Sequence, residues 1–101
     1  MVQNNGLEFE YIVQAFFEER GVSIFETPGS NDFGADLVLY RNGKIAVIQC
    51  KCHSSPVGIH AVQEVVGAIK HYGADAGIVI SNQPFTRQAV ALAHSNHVLL
   101  I

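Results

Sequence analysis

The chain has 101 residues, enough for one domain at about 100–150 residues per domain. Apolar residues make up 49% and charged residues 15%, which excludes a disordered chain and predicts a hydrophobic core. The formal net charge of −3 argues against a simple cationic clamp for nucleic acid. No apolar run reaches the roughly 18–20 residues of a membrane span. Cys50 and Cys52 are too close in sequence for an unstrained disulfide, so we predict reduced thiols and a cytoplasmic protein.

The first half of the chain reads as one helix followed by three strands. Apolar residues at three- and four-residue spacing predict a helix over residues 6–20. A β-rich run occupies residues 22–26, and turn-forming residues predict a loop over 27–31. Strands are predicted at 36–40 and 44–52. The dipeptide Asn42-Gly43 between them is typical of a two-residue hairpin turn.

The second half alternates helices and strands. Helices are predicted at 57–72 and 85–95, and strands at 76–81 and 98–101. The strand at 76–81 is almost continuously apolar, so we expect it to be covered on both faces. The order α-β-β-β-α-β-α-β predicts an α/β fold with a mixed central sheet flanked by helices. We expect a single domain over residues 1–101. Because the sequence ends inside an apolar strand, a C-terminally truncated domain is the alternative.

The hairpin turn fixes which side chains share a face. With Asn42-Gly43 as the loop, Arg41 pairs with Lys44, Leu37 with Ile48 and Asp36 with Gln49, and directly opposite residues point to the same face. The two-residue period of a strand adds Lys51 to the face of Gln49. The sequence therefore predicts that Asp36, Gln49 and Lys51 converge at the end of the hairpin away from its turn.

These residue types suit metal-assisted hydrolysis of a phosphodiester. The Asp36 carboxylate can bind a hard divalent cation, with the Gln49 amide oxygen and the Cys50 backbone carbonyl as weaker ligands. Lys51 can stabilise a pentacovalent phosphate or accept the proton of an attacking water. The alternative interpretation is an ordinary polar strand end, with Lys51 paired to Asp36 in a salt bridge.

Three segments of the sequence together resemble a known enzyme family. Residues 6–10 are similar to a G-x-E-F-E opening, residues 31–38 to a D-x-G-x-D-L motif, and residues 47–51 to a Q-x-K motif. In this order and spacing they resemble the Mrr-like restriction endonucleases, a branch of the PD-(D/E)xK nuclease superfamily. The resemblance covers nearly the whole chain. It implies a restriction-endonuclease-like core.

The resemblance also implies an activity and its residues. It implies a metal-dependent DNA endonuclease with Asp36, Gln49, Lys51 and Glu10 as catalytic residues. Asp36, Glu10, Gln49 and the Cys50 backbone carbonyl would hold Mg²⁺ or Mn²⁺. Because Gln49 replaces the second acid of the wider fold, we expect a weakly held ion. The expected partner is DNA, without a membrane, and a homodimer would supply the two sites needed to cut both strands.

Two other functions remain open, namely a catalytically inactive nucleic-acid-binding module of the same fold and a junction-resolving nuclease.

Several other polar residues receive simpler interpretations. We interpret Glu8 as a helix-capping residue and Asp32 as a turn residue. The Cys50-Lys51-Cys52-His53 run is excluded as a zinc site because the strand places the cysteines and His53 on opposite faces. We expect Gln63 and Glu64 to be solvated, although the helix after a Q-x-K strand often lines the site in this fold.

Overall fold

A mixed five-stranded sheet forms the centre of the protein, in a computed structural model that describes residues 5–27 and 34–101. Its strands lie in the order β1-β2-β3-β4-β5, with β1, β2 and β3 antiparallel and β3, β4 and β5 parallel. The predicted element order is confirmed. The elements are α1 (Asn5–Glu18), β1 (Ser23–Glu26), β2 (Leu37–Arg41), β3 (Lys44–Lys51), α2 (Ile59–Tyr72), β4 (Ala76–Ser81), α3 (Arg87–His94) and β5 (Val98–Leu100).

The β2–β3 hairpin has the predicted register. Arg41 lies opposite Lys44 and Leu37 opposite Ile48. Asn42 and Gly43 both adopt positive φ, at 53° and 77°, as a two-residue turn between twisted strands requires. Strand β2 begins at Leu37, one residue later than predicted, yet the backbone N–H of Asp36 still donates to the carbonyl of Ile48 at 2.8 Å.

Both later helices begin two residues after their predicted starts, for one shared reason. Val57 and Phe85 form an isolated parallel bridge with each other, so both segments are still extended at these residues. The Thr86 side chain then accepts a hydrogen bond from the backbone N–H of Ala89 and caps α3. The remaining element ends differ from the predictions by two residues or fewer.

The core lies in two layers, one on each side of the sheet. On one face α1 packs against β1 and β3, burying Val13, Ile24, Leu37 and Ile48. On the other face α2 covers Val47, Val79 and their neighbours, with α3 beside it. Ile78 and Ile80 of β4 pack against the α1 layer but are only partly buried, whereas Val79 is fully buried on the α2 side. The expected covering of β4 on both faces is therefore complete on the α2 side and partial on the α1 side.

Topology gathers several chain segments at one end of the sheet. There β1 and β3 finish and β2 begins, which brings together Glu26, Asp36 and Lys51. We call this the site end. Since α2 follows β3 and returns antiparallel to it, the first half of α2 lies close to the same end. Within the described residues, no helix combines the length and the apolarity that a membrane crossing requires.

Candidate active site

Asp36 is the most enclosed carboxylate at the site end. Only 7% of the Asp36 surface is exposed, and its Oδ2 accepts a hydrogen bond from the backbone N–H of Cys50 at 2.8 Å. Burial raises the pKa of Asp36, and the negative charge of Glu64 adds to this. The Cys50 hydrogen bond and the positive charge of Lys51 oppose the shift. A buried carboxylate destabilised in this way is favourably placed to accept a cation.

Gln49 joins the loop before β2 to the lysine of its own strand. Its residue is 5% exposed. In the amide orientation that satisfies both partners, its nitrogen donates to the carbonyl of Gly34 at 2.8 Å and its oxygen accepts from Lys51 Nζ at 3.2 Å. The Gln49 oxygen is thus occupied by an ammonium in this arrangement.

Lys51 forms its ion pair with a residue other than Asp36. Its Nζ lies 2.9 Å from Glu64 Oε1, on the first half of α2, with the two side chains 18% and 34% exposed. The salt bridge between Lys51 and Asp36 considered from the sequence is not formed. The expectation that Glu64 is solvated is wrong, because β3 packs beneath α2 and brings Lys51 against it.

Gly34 explains the glycine of the D-x-G-x-D motif. Its φ is +79°, and a Cβ atom at this position would overlap the backbone carbonyl of Glu64. Only glycine allows the loop to lie this close to α2 without strain. The same residue offers its carbonyl to Gln49, so the loop, the strand and the helix meet at this point.

Glu10 approaches from the other layer of the protein. It lies on α1 and is half-buried. Burial raises its pKa to about 7, and the negative charges of Asp36 and Glu26 contribute. Burial likewise raises the pKa of the Cys50 thiol to about 12, with Asp36 and Glu10 contributing. The negative charge of Asp36 thus acts on both Glu10 and the Cys50 thiol.

The oxygen atoms at the site end fit a hard divalent cation. Asp36 and Glu10 supply carboxylates of raised pKa, whose mutual repulsion a cation would relieve. Alternation along β3 turns the Cys50 carbonyl to the same side as its N–H, which binds Asp36. Among the described residues, no three His, Cys, Asp or Glu side chains form a metal-holding group by themselves. The Cys50 backbone carbonyl and solvent would have to complete the ligand set.

Asn82 holds the chain just after Lys51. Its Oδ1 accepts from the backbone N–H of His53 at 2.9 Å, and its Nδ2 donates to the His53 carbonyl at 3.0 Å. Its own backbone N–H donates to the Lys51 carbonyl at 3.3 Å. The side chain thus imitates one further pair of the β3–β4 ladder. No motif in the sequence pointed to Asn82, and none pointed to Glu26.

Of the other polar residues considered from the sequence, two are exposed and one lies outside the described residues. Glu8 is exposed in the first turn of α1, and His53 is exposed after β3. Asp32 lies outside the described residues. Cys50 and Cys52 form no disulfide with each other and are partly buried.

Known proteins resemble the chain in sequence and in fold. An uncharacterized mitochondrial protein of Schizosaccharomyces pombe, C824.03c, is 29% identical over 106 residues, covering 95% of this chain and 42% of that protein. The DNA modification-dependent restriction endonuclease AspBHI matches with a TM-score of 0.72 at 19% identity, covering 97% of this chain and 29% of that one. Hjc, a Holliday junction resolvase of Archaeoglobus fulgidus, matches with a TM-score of 0.61 at 18% identity, covering 82% and 68%.

These comparisons carry different weight. At such low identities the two solved structures establish only that this chain has the restriction-endonuclease fold. The chain also spans less than half the length of the yeast protein. The family model Mrr_cat, described as restriction endonuclease, matches residues 1–101 in full. The chain therefore belongs to the Mrr_cat restriction endonuclease family, which places it among the nucleases.

Proposed function

We propose that this chain is a single nuclease domain that cleaves DNA in a reaction dependent on Mg²⁺ or Mn²⁺. The observation that carries the proposal is the joining of Asp36 to the Cys50 backbone and of Gln49 to Lys51, at one end of the sheet. Asp36, Glu10 and the Cys50 carbonyl would hold the ion. When bound, it would supply a Lewis acid for the scissile phosphate and its attacking water.

The side chains of the site have distinct tasks in this proposal. Water adds to phosphorus, the bond to one bridging oxygen breaks, and the products are a phosphate monoester and a hydroxyl group. Lys51 stabilises the negative charge that builds on the phosphate. Gln49, bonded at both ends of its amide, serves chiefly to orient Lys51, although it was also predicted from the sequence as a metal ligand. Water's proton passes to solvent or a phosphate oxygen.

Cleavage of labelled DNA in EDTA, Mg²⁺ and Mn²⁺ tests the proposal. We expect cleavage only with metal, and its loss in Lys51→Met and Asp36→Asn, both of which should keep the fold. Linear, modified and four-way-junction DNA substrates should be compared, because the fold is shared with the modification-dependent AspBHI and with the Hjc resolvase. Exclusive cutting of the junction would favour a junction-resolving nuclease.

Two results would contradict the proposal. Strong metal-dependent cleavage by Lys51→Met would remove Lys51 from the reaction. DNA binding without any cleavage, on all substrates and with both metals, would identify a binding module instead.

A homodimer and a cytoplasmic location belong to the same proposal. Sedimentation of the protein with and without duplex DNA tests the dimer, since cutting both strands calls for two sites.

A further inference from the structure

Glu64 lies in a closed ring of contacts around the Lys51 ammonium. Its carboxylate is 2.9 Å from Lys51 Nζ, which in turn is 3.2 Å from the Gln49 amide oxygen. The Gln49 nitrogen binds the Gly34 carbonyl, and Gly34 lies directly against the backbone of Glu64. The ring therefore begins and ends on the same turn of α2.

This closure restricts where the lysine can reach. A lysine side chain has four rotatable bonds and, when free, spreads its ammonium over a wide volume. Here two acceptors on different elements, β3 and α2, hold it from two sides, and the Lys51 side chain is only 18% exposed. Gln49 is buried, and the backbone of Glu64 lies in close contact with Gly34, so the elements that carry the two acceptors are held against each other.

We propose that Glu64 is a positioning residue that fixes the Lys51 ammonium at the site end. The inference rests on the proposed function for its consequence in cleavage, and on the contacts alone for the placement of Lys51. Because Glu64 is an acid close to where DNA phosphates would lie, it also repels the substrate. Replacing it should therefore slow cleavage without weakening DNA binding.

Cleavage and binding measured separately test this expectation. In Glu64→Gln, we expect the single-turnover cleavage rate at saturating DNA to fall about tenfold or more, as a misplaced catalytic group causes. Its affinity for DNA in metal-free buffer should be unchanged or higher. Glu64→Asp keeps the charge on a shorter stem and should cut at an intermediate rate. Gln63→Ala, at the neighbouring exposed position of α2, is the matched control and should cut like the wild type.

A stability measurement judges the pair without any activity. Thermal unfolding of Lys51→Met, Glu64→Gln and the double variant forms a cycle. We expect each single change to lower Tm, since each breaks the ion pair between Lys51 and Glu64 and leaves one partly buried charge less well compensated. The double variant should then lose clearly less than the two single losses together.

The outcomes separate this inference from the proposed function. Three results would overturn the inference. Glu64→Gln could cut at the wild-type rate, or Glu64→Asp could cut no faster than Glu64→Gln. The third result is DNA binding that weakens together with cleavage in Glu64→Gln. If the wild type cuts no DNA at all, the proposed function fails. The unfolding cycle then decides alone, with non-additive losses supporting the placement of Lys51 by Glu64 and additive losses overturning it.

Discussion

The Asp36 side chain binds the backbone of Cys50 through a 2.8 Å hydrogen bond from the Cys50 N–H to Oδ2. The carboxylate thus replaces the ladder partner that β2, which starts only at Leu37, does not provide for Cys50. The bond fixes the carboxylate beside the carbonyl of the same residue. Local backbone pairing and the candidate cation site are therefore built from the same atoms.

Asp36→Asn separates these two roles. The amide oxygen can still accept from Cys50, while the charge that a cation needs is lost. Because burial raises the pKa of Asp36, the ionised form is disfavoured in the fold and stability falls as pH rises. We expect Asp36→Asn to unfold at the wild-type temperature or above at pH 8, yet to lose cleavage by a factor of about 100 or more. Asp36→Ala, which also loses the hydrogen bond, should unfold at a lower temperature. Calorimetry and a cleavage assay on the wild type and both variants check these expectations.

Gly34→Ala should destabilise the fold strongly. A Cβ atom there meets the Glu64 carbonyl, and the φ of +79° adds strain. We expect a loss of about 3 kcal/mol or more in the free energy of unfolding. Gly21→Ala has a similar φ of +77° but open space around it, so it isolates the backbone strain at about 1 kcal/mol. Equal losses in urea unfolding of the two variants would contradict the close contact with α2.

Glu10→Gln should stabilise the protein only at neutral and alkaline pH. A carboxyl whose folded pKa is about 7 binds its proton more tightly when folded than when unfolded. Its ionisation therefore costs stability progressively between about pH 4.5 and 7, and not below. With solvent screening of this half-exposed group, we expect a gain of about 1 kcal/mol at pH 8 in EDTA. Glu8→Gln, at an exposed position two residues earlier on α1, is the control, and a gain that persists at pH 4 would contradict the assignment.

Asn82→Ala should slow cleavage by loosening the chain after Lys51. The variant loses both side-chain hydrogen bonds to the His53 backbone. We expect a stability loss of about 1 kcal/mol and cleavage several-fold slower. Asn96→Ala removes a comparable bond, from Nδ2 to the Leu92 carbonyl at 2.9 Å, far along the chain from Lys51. It should lose similar stability without losing cleavage. Equal rate losses in both variants would show only general destabilisation.

Mg²⁺ should strengthen DNA binding. The chain carries a formal charge of −3, and one bound divalent ion reduces this to −1. Fluorescence anisotropy on the cleavage-deficient Lys51→Met variant should show a higher affinity in Mg²⁺ than in EDTA at equal ionic strength. Asp36→Asn should show no such gain. Tight binding in EDTA that weakens with Mg²⁺ would contradict this reading of the charge.

The sequence by itself determined the grouping of Asp36, Gln49 and Lys51. A two-residue turn at Asn42-Gly43 and the two-residue period of strands are local properties, so the register could be counted along the chain. The motif spacing likewise indicated the family, which the match of the family model to residues 1–101 establishes. Helices α2 and α3 begin two residues later than predicted, because the bridge between Val57 and Phe85 joins segments far apart in the chain.

Only the tertiary structure decided what surrounds that group. Glu64 pairs with Lys51, Gly34 lies against the Glu64 backbone, and Asn82 binds the His53 backbone. The members of each pair are 13 to 30 residues apart in the sequence. Helical periodicity indicates which face of α2 is buried, but not how far the helix slides along the sheet. That offset is set by how the side chains of the two layers interlock, so which acid meets the lysine is a property of the packed fold.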